Sequence, residues 1–118
     1  MFVTPAIARR IELAEAEVTR SVVASARHAP NAFWRPFESG AASYLRPDSP
    51  MNKVIGAGLD APIDPAALSG LETELRPRGD VVRVELATVA IAASGILLTE
   101  RGYRLLGFEL RQLAVGGD

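Results

Sequence analysis

Between Asn52 and Thr88 the chain reads strand, helix, strand, and that unit constrains everything around it. "NKVIGAGL" (52–59) is a short apolar run loosened by Gly56 and Gly58. Next, Asp64 is a natural N-cap, Pro65 suits the first helical position, and Leu68, Leu71 and Leu75 recur at helical spacing. Pro77 and Gly79 end this helix. In "VVRVELAT" (81–88), Val82, Val84 and Leu86 alternate with Arg83, Glu85 and Ala87, the period of a strand. Neighbouring strands joined through a helix run parallel, and such crossovers are right-handed.

The flanking segments supply the rest of a sheet. Thr4 is the expected N-cap and Pro5 the first residue of an opening helix. Ile7, Ile11, Ala14, Val18 and Val22 form one apolar face of it, with Arg9, Arg10, Glu12, Glu17 and Arg20 on the other. "HAPN" (28–31) stops it, because a residue before proline resists the helical region. "AFWRPFE" and "AASYLR" read as a hairpin turning at Ser39-Gly40. Pro36 cannot donate to a ladder, which places its strand at an edge or a bulge. A third helix spans about 89–101 and stops at Gly102, followed by one strand from Tyr103 to about Val115. The order is helix, strand, strand, strand, helix, strand, helix, strand: a single α/β domain over 1–118 with a mixed sheet and helices on both faces.

Composition narrows the function classes. Hydrophobic residues make up 48% and charged residues 23%, ordinary for a globular chain. A net charge of -1 offers no electrostatic footprint for nucleic acid or an anionic membrane surface. The absence of cysteine excludes disulfides, thiol catalysis and Cys-ligated metals. No apolar run approaches the ~20 residues of a membrane helix, and "MFVTPAIARRIELAEAEV" lacks the apolar core of a signal peptide. A cytoplasmic protein is the expectation.

The closing stretch "ILLTERGYRLLGFELRQL" resembles the last helix and following strand of the GNAT (GCN5-related) N-acetyltransferase family, where a pattern like "lYeklGF" is usual. The predicted element order is similar to that family's over nearly the whole chain. "ARRIELAEAEVTRSVV" and "SPMNKVIGAGL" look like the N-terminal region of larger members, in which one GNAT-like domain precedes a second that carries the cofactor site. The resemblance implies a phosphate-binding turn of the form Q/R-x-x-G-x-G/A between the third strand and the second helix. There it would hold the pyrophosphate of acetyl-CoA on backbone amides.

This chain departs from that pattern. The place reads "LDAPIDPAAL" (59–68), with no glycine between Gly58 and Gly70. Pro62 and Pro65 each remove a backbone donor. Asp64 would cap the helix with its own carboxylate, and Asp60 adds a second negative charge. A carboxylate ~5 Å from a phosphate costs roughly 3 kcal/mol at an effective dielectric of ~20, against about 0.3–2 kcal/mol returned by a helix terminus. The expectation is a domain that binds no acetyl-CoA itself, with the cofactor and acetyl transfer to an amine in a partner domain.

Trp34, Tyr44, Asn52, Glu85 and Thr88 are candidates to line an acceptor pocket under the resemblance. Each has a plainer reading: hairpin packing for the aromatics, and for Glu85 a solvated pairing with Arg83. His28, the lone histidine, fits helix capping better than catalysis. Asp60 and Asp64 read as a loop acid and a cap rather than a catalytic pair. No metal-ligand spacing or nucleophile–base pair is present, so no catalytic, cofactor or metal residue is assigned. Leu106, Phe108 and Leu110 alternate onto one face of the last strand, and a long apolar edge needs a cover. They are the interface candidates. The expected partner is a C-terminal GNAT catalytic domain or, in the alternative reading as a non-catalytic interaction module, a second copy of the chain.

Overall fold

A computed structural model describes residues 4–26, 29–79, 81–87, 90–108 and 111–115. The elements are α1 (Pro5–Ser25), β1 (Phe33–Phe37), β2 (Gly40–Tyr44), β3 (Lys53–Ile55), α2 (Pro65–Leu75), a 3-10 turn (Arg76–Arg78), β4 (Arg83–Ala87), α3 (Ile91–Glu100), β5 (Arg104–Phe108) and β6 (Arg111–Val115). One mixed sheet has the order β1-β2-β3-β4-β6-β5. Only β3 and β4 run parallel, through the predicted α2 crossover; the other neighbours are antiparallel. Pro36 lies on the edge strand β1, as its missing donor requires.

The caps follow the local chemistry. Thr4 Oγ1 accepts from Ile7 N at 3.2 Å, and Asp64 Oδ1 accepts from Ala66 N at 3.2 Å. At the end of α3, Tyr103 N donates to Leu98 O at 2.9 Å and Gly102 N to Thr99 O at 3.1 Å. Gly102 has φ 86°, so this is a Schellman ending.

Alternation in the register sorts the two faces. Ala42, Val54, Val84 and Leu86 join Leu68, Leu71 and Leu75 of α2, with Leu98 of α3 and Tyr103, in one core cluster. The opposite face carries Trp34, Ser43, Lys53 and Ile55 and lies under α1. Helices therefore cover both faces.

Three expectations are corrected. First, the chain after α3 is two strands, not one. β6 pairs with β4, and β5 returns to the edge outside it. A register shift between Leu105 and Gly107 breaks the alternation that grouped Leu106 with Phe108. Backbone positions 106 and 108 lie on edge strand β5, while Leu110 lies outside the described residues. A strand of about a dozen residues also exceeds the usual length of about five or six.

Second, the hairpin turns at Glu38-Ser39, since Phe37 pairs with Gly40. Glu38 takes the left-handed φ of 53°. Gly40 is needed inside the strand instead: a Cβ there would sit 1.7 Å from the carbonyl oxygen of Ile55 on β3.

Third, α1 buries a different face. Ala8, Glu12, Ala16 and Thr19 point to the sheet, whereas Val18 is 55% exposed and Val22 37%. Close approach decides this. The small Ala8 and Ala16 let the helix settle, and Glu12 Cβ lies 3.4 Å from where a side chain on Gly56 would begin. Thr19 Oγ1 accepts from Trp34 Nε1 at 3.2 Å and donates to Ala16 O at 2.8 Å.

Candidate functional site

Besides the Ser69–Glu72–Arg101–Tyr103 cluster between α2 and the end of α3, two places among the described residues bring polar chemistry together, at opposite ends of β3. The first is the connection from β3 to α2. Gly56 and Gly58 have φ of 76° and 83°, which turn the chain sharply out of the sheet. A Cβ on Gly58 would meet Ser94 Oγ at 2.9 Å, so α3 presses directly on this turn. Several of the amides that follow have internal acceptors. Leu59 N donates to Ser39 Oγ at 3.3 Å, Ile63 N to Ser94 Oγ at 3.2 Å and Asp64 N to Glu38 Oε2 at 2.9 Å. Ala66 N is held by the Asp64 cap, Leu68 N bonds Asp64 O at 3.1 Å, and Pro62 and Pro65 have no N–H.

The charge here is mostly acidic. Glu38 reaches the backbone of Asp64, and Asp60 forms an ion pair with Arg9 of α1. The Arg9 hydrogen bond holds the Asp60 carboxyl below the usual carboxylate range and raises the guanidinium in turn. An anion arriving here would meet several amides already taken and the carboxylates of Glu38, Asp60 and Asp64 in or beside the segment.

The second place is a groove of about 530 Å³ where the end of α1, the end of β2 and the 3-10 turn meet. Its floor is an aromatic and cationic stack. Phe33 and Tyr44 lie with centroids 6.1 Å apart and planes 16° from parallel. The Arg78 guanidinium sits 5.1 Å and 5.0 Å from those two centroids. Arg78 Nη1 donates to Asn31 O at 2.8 Å, which fixes its orientation. Pro30, Pro47 and Pro77 stand around the groove, and Arg46 lies at its side. Asn52 braces that side from beneath. Its Oδ1 accepts from Leu45 N at 2.7 Å and its Nδ2 donates to Arg46 O at 2.7 Å.

The four described acceptor-pocket candidates, Trp34, Tyr44, Asn52 and Glu85, do not form one pocket. Phe33 pairs with Tyr44 and Trp34 with Ser43, so Trp34 and Tyr44 lie on opposite faces of the sheet. Trp34 faces α1, with Arg20 over its ring at 5.4 Å. Tyr44 is buried in the groove floor and Asn52 is a buried clamp. Glu85 bonds Lys53 Nζ at 3.0 Å across the parallel pair, and both side chains are largely buried. That pairing reaches across strands and differs from the expected solvated contact with Arg83. Thr88 and His28 lie outside the described residues.

Arg46 and Arg78 were not legible as site residues. The available signal is that "HAPN", "RPDSP" and "RPRG" each place proline in a loop, two of them beside arginine. Among the described residues, no group of three or more His, Asp or Glu is placed to hold a metal ion. No helix among them is long and apolar enough to cross a membrane. No family model, curated protein or solved structure matches this chain.

Proposed function

We propose that the chain is a GNAT-like domain that holds no acetyl-CoA of its own and works by packing beside a GNAT domain that carries out acetyl transfer to an amine. The observation that carries this reading is the β3–α2 connection. In the resembling family that segment would cradle a pyrophosphate. Here Ser39, Ser94, Glu38 and Asp64 each occupy one of its amides, two prolines remove others, and the segment itself carries Asp60 and Asp64. The element order and the closing "ERGY…LGFE" stretch support the family reading. The exposed Val18 and Val22, one turn apart on α1, support a packing role, because neighbouring apolar residues on a helix surface gain free energy only against a partner.

Calorimetry with acetyl-CoA tests the proposal. The expected outcome is no saturable heat at micromolar to millimolar cofactor. Micromolar binding by this chain alone would refute it. The alternative, a non-catalytic module acting as a homodimer, draws on the same exposed Val18–Val22 pair of α1. Native mass measurement separates the two, since the second requires twice the 12.6 kDa of this chain.

A further inference from the structure

We propose that the groove between the end of α1, the end of β2 and the 3-10 turn binds a small organic anion, its charged head on Arg46 and Tyr44 and its apolar body against the proline walls. The site lies at the far end of β3 from the β3–α2 connection and does not depend on the acetyl-transfer reading.

Charge is the first argument. The groove is lined by two arginines and by no acid. Arg46 makes no ion pair or side-chain hydrogen bond among the described residues, and its side chain is exposed. Its backbone is nevertheless fixed, because the Arg46 carbonyl accepts from both Asn52 Nδ2 at 2.7 Å and Ser49 N at 3.1 Å. Arg78 is partly neutralised by Glu74, 3.9 Å away. Glu74 is itself shared with Arg35, so the arginines of this corner outnumber its acid. A guanidinium on a fixed backbone presents a planar fork that fits a carboxylate or a phosphoryl group.

Tyr44 is the second argument. The residue is only 2% exposed and lines the groove, yet its hydroxyl makes no hydrogen bond among the described residues. The hydroxyl opens to the groove, where water or a ligand can accept from it. An anionic oxygen is the best acceptor available to it.

Size and surface are the third. About 530 Å³ falls within the range of small-molecule sites. Pro30, Pro47 and Pro77 offer ring carbons and no N–H, and the Phe33–Tyr44 stack continues that apolar surface inward. A simple inorganic ion would leave these walls unused, so the ligand class is an anion with an apolar body.

The test is an NMR titration of the ¹⁵N-labelled full chain with benzoate and with phenyl phosphate, using benzyl alcohol as the neutral control. Saturable shifts with either anion at the amides of Leu45, Arg46 and Arg78, and none with the alcohol, are expected. Which anion binds more tightly assigns the head group as carboxylate or phosphoryl. Arg46→Gln, at an exposed side chain, should weaken binding about tenfold, the scale of one charge-assisted hydrogen bond. Tyr44→Phe should weaken it severalfold while leaving the ring stack in place. The proposal is overturned if neither anion saturates by about 10 mM, if Arg46→Gln binds as wild type does, or if benzyl alcohol binds as tightly as the anions.

Discussion

Replacing Asn52 tests how the floor of the groove is held. The side chain is 2% exposed and bridges Leu45 N and Arg46 O, both at 2.7 Å. Asn52→Ala removes both bonds. Leu45 is buried, so its amide loses this acceptor where water cannot replace it, at about 1–3 kcal/mol. The Arg46 carbonyl still accepts from Ser49 N, so its loss is nearer 0.5–1 kcal/mol. A total of roughly 1.5–4 kcal/mol lowers the urea midpoint by about 1–3 M for a chain of this size. Asn52→Asp gives a sharper result. It keeps the acceptor for Leu45 N but aims a second carboxylate oxygen at the Arg46 carbonyl. Burial and that repulsion raise the folded pKa of the new acid above its unfolded value of about 3.9. Between those two values the folded state binds more protons than the unfolded one, so stability falls as pH rises. Relative to wild type, Asn52→Asp should therefore be least impaired near pH 4 and most impaired near pH 7, read from urea midpoints at both. An Asn52→Ala loss below about 0.5 kcal/mol, or a pH trend of the opposite sign, would refute this account.

Other perturbations bear on different parts of the fold. Gly40→Ala places a Cβ 1.7 Å from the Ile55 carbonyl and 2.6 Å from the Gly56 carbonyl carbon. Since backbone must move to admit it, we expect a loss above about 3 kcal/mol or no cooperative unfolding at all by circular dichroism. Glu74 is held below its usual carboxylate range, chiefly by its hydrogen bond from Arg35. A depressed folded pKa contributes stability above the unfolded value that is lost as pH falls through the folded one. The deficit of Glu74→Gln against wild type should thus be present near pH 7 and shrink below about pH 4, and a deficit constant across that range would count against the Arg35 pairing.

The elements with strong local chemistry were legible in the sequence. Asp64-Pro65 with Leu68, Leu71 and Leu75 specified α2, and Gly102 specified the end of α3. Where local chemistry and packing compete, the sequence misleads. The apolar stripe of α1 satisfies every periodicity rule, yet the helix turns Ala8, Glu12, Ala16 and Thr19 inward, because closeness to Gly56 and Trp34 outweighs side-chain hydrophobicity. Gly40 looks like a turn residue and is instead a packing residue of β2, which moves the turn one position back. The split of the final segment into β5 and β6 was readable from length alone, since no strand before it exceeds five residues. The groove was not readable at all. Tyr44 and Arg46 lie two residues apart in "AASYLR", but Arg78 comes from the 3-10 turn more than thirty residues on, and only the fold brings it to their corner.

The short parallel contact of β3 with β4 has a mechanical consequence. Its register comprises two pairs, Val54 with Val84 and Ile55 with Glu85, while β4 and β6 share five. The sheet is thus two three-stranded halves sewn by a brief seam, with α2 laid behind it and the Lys53–Glu85 ion pair across it. Bending is cheapest along that line. A change of angle between the halves would have to break only those two pairings and leave the ladder of either half intact, so the seam is the natural fold line of the sheet.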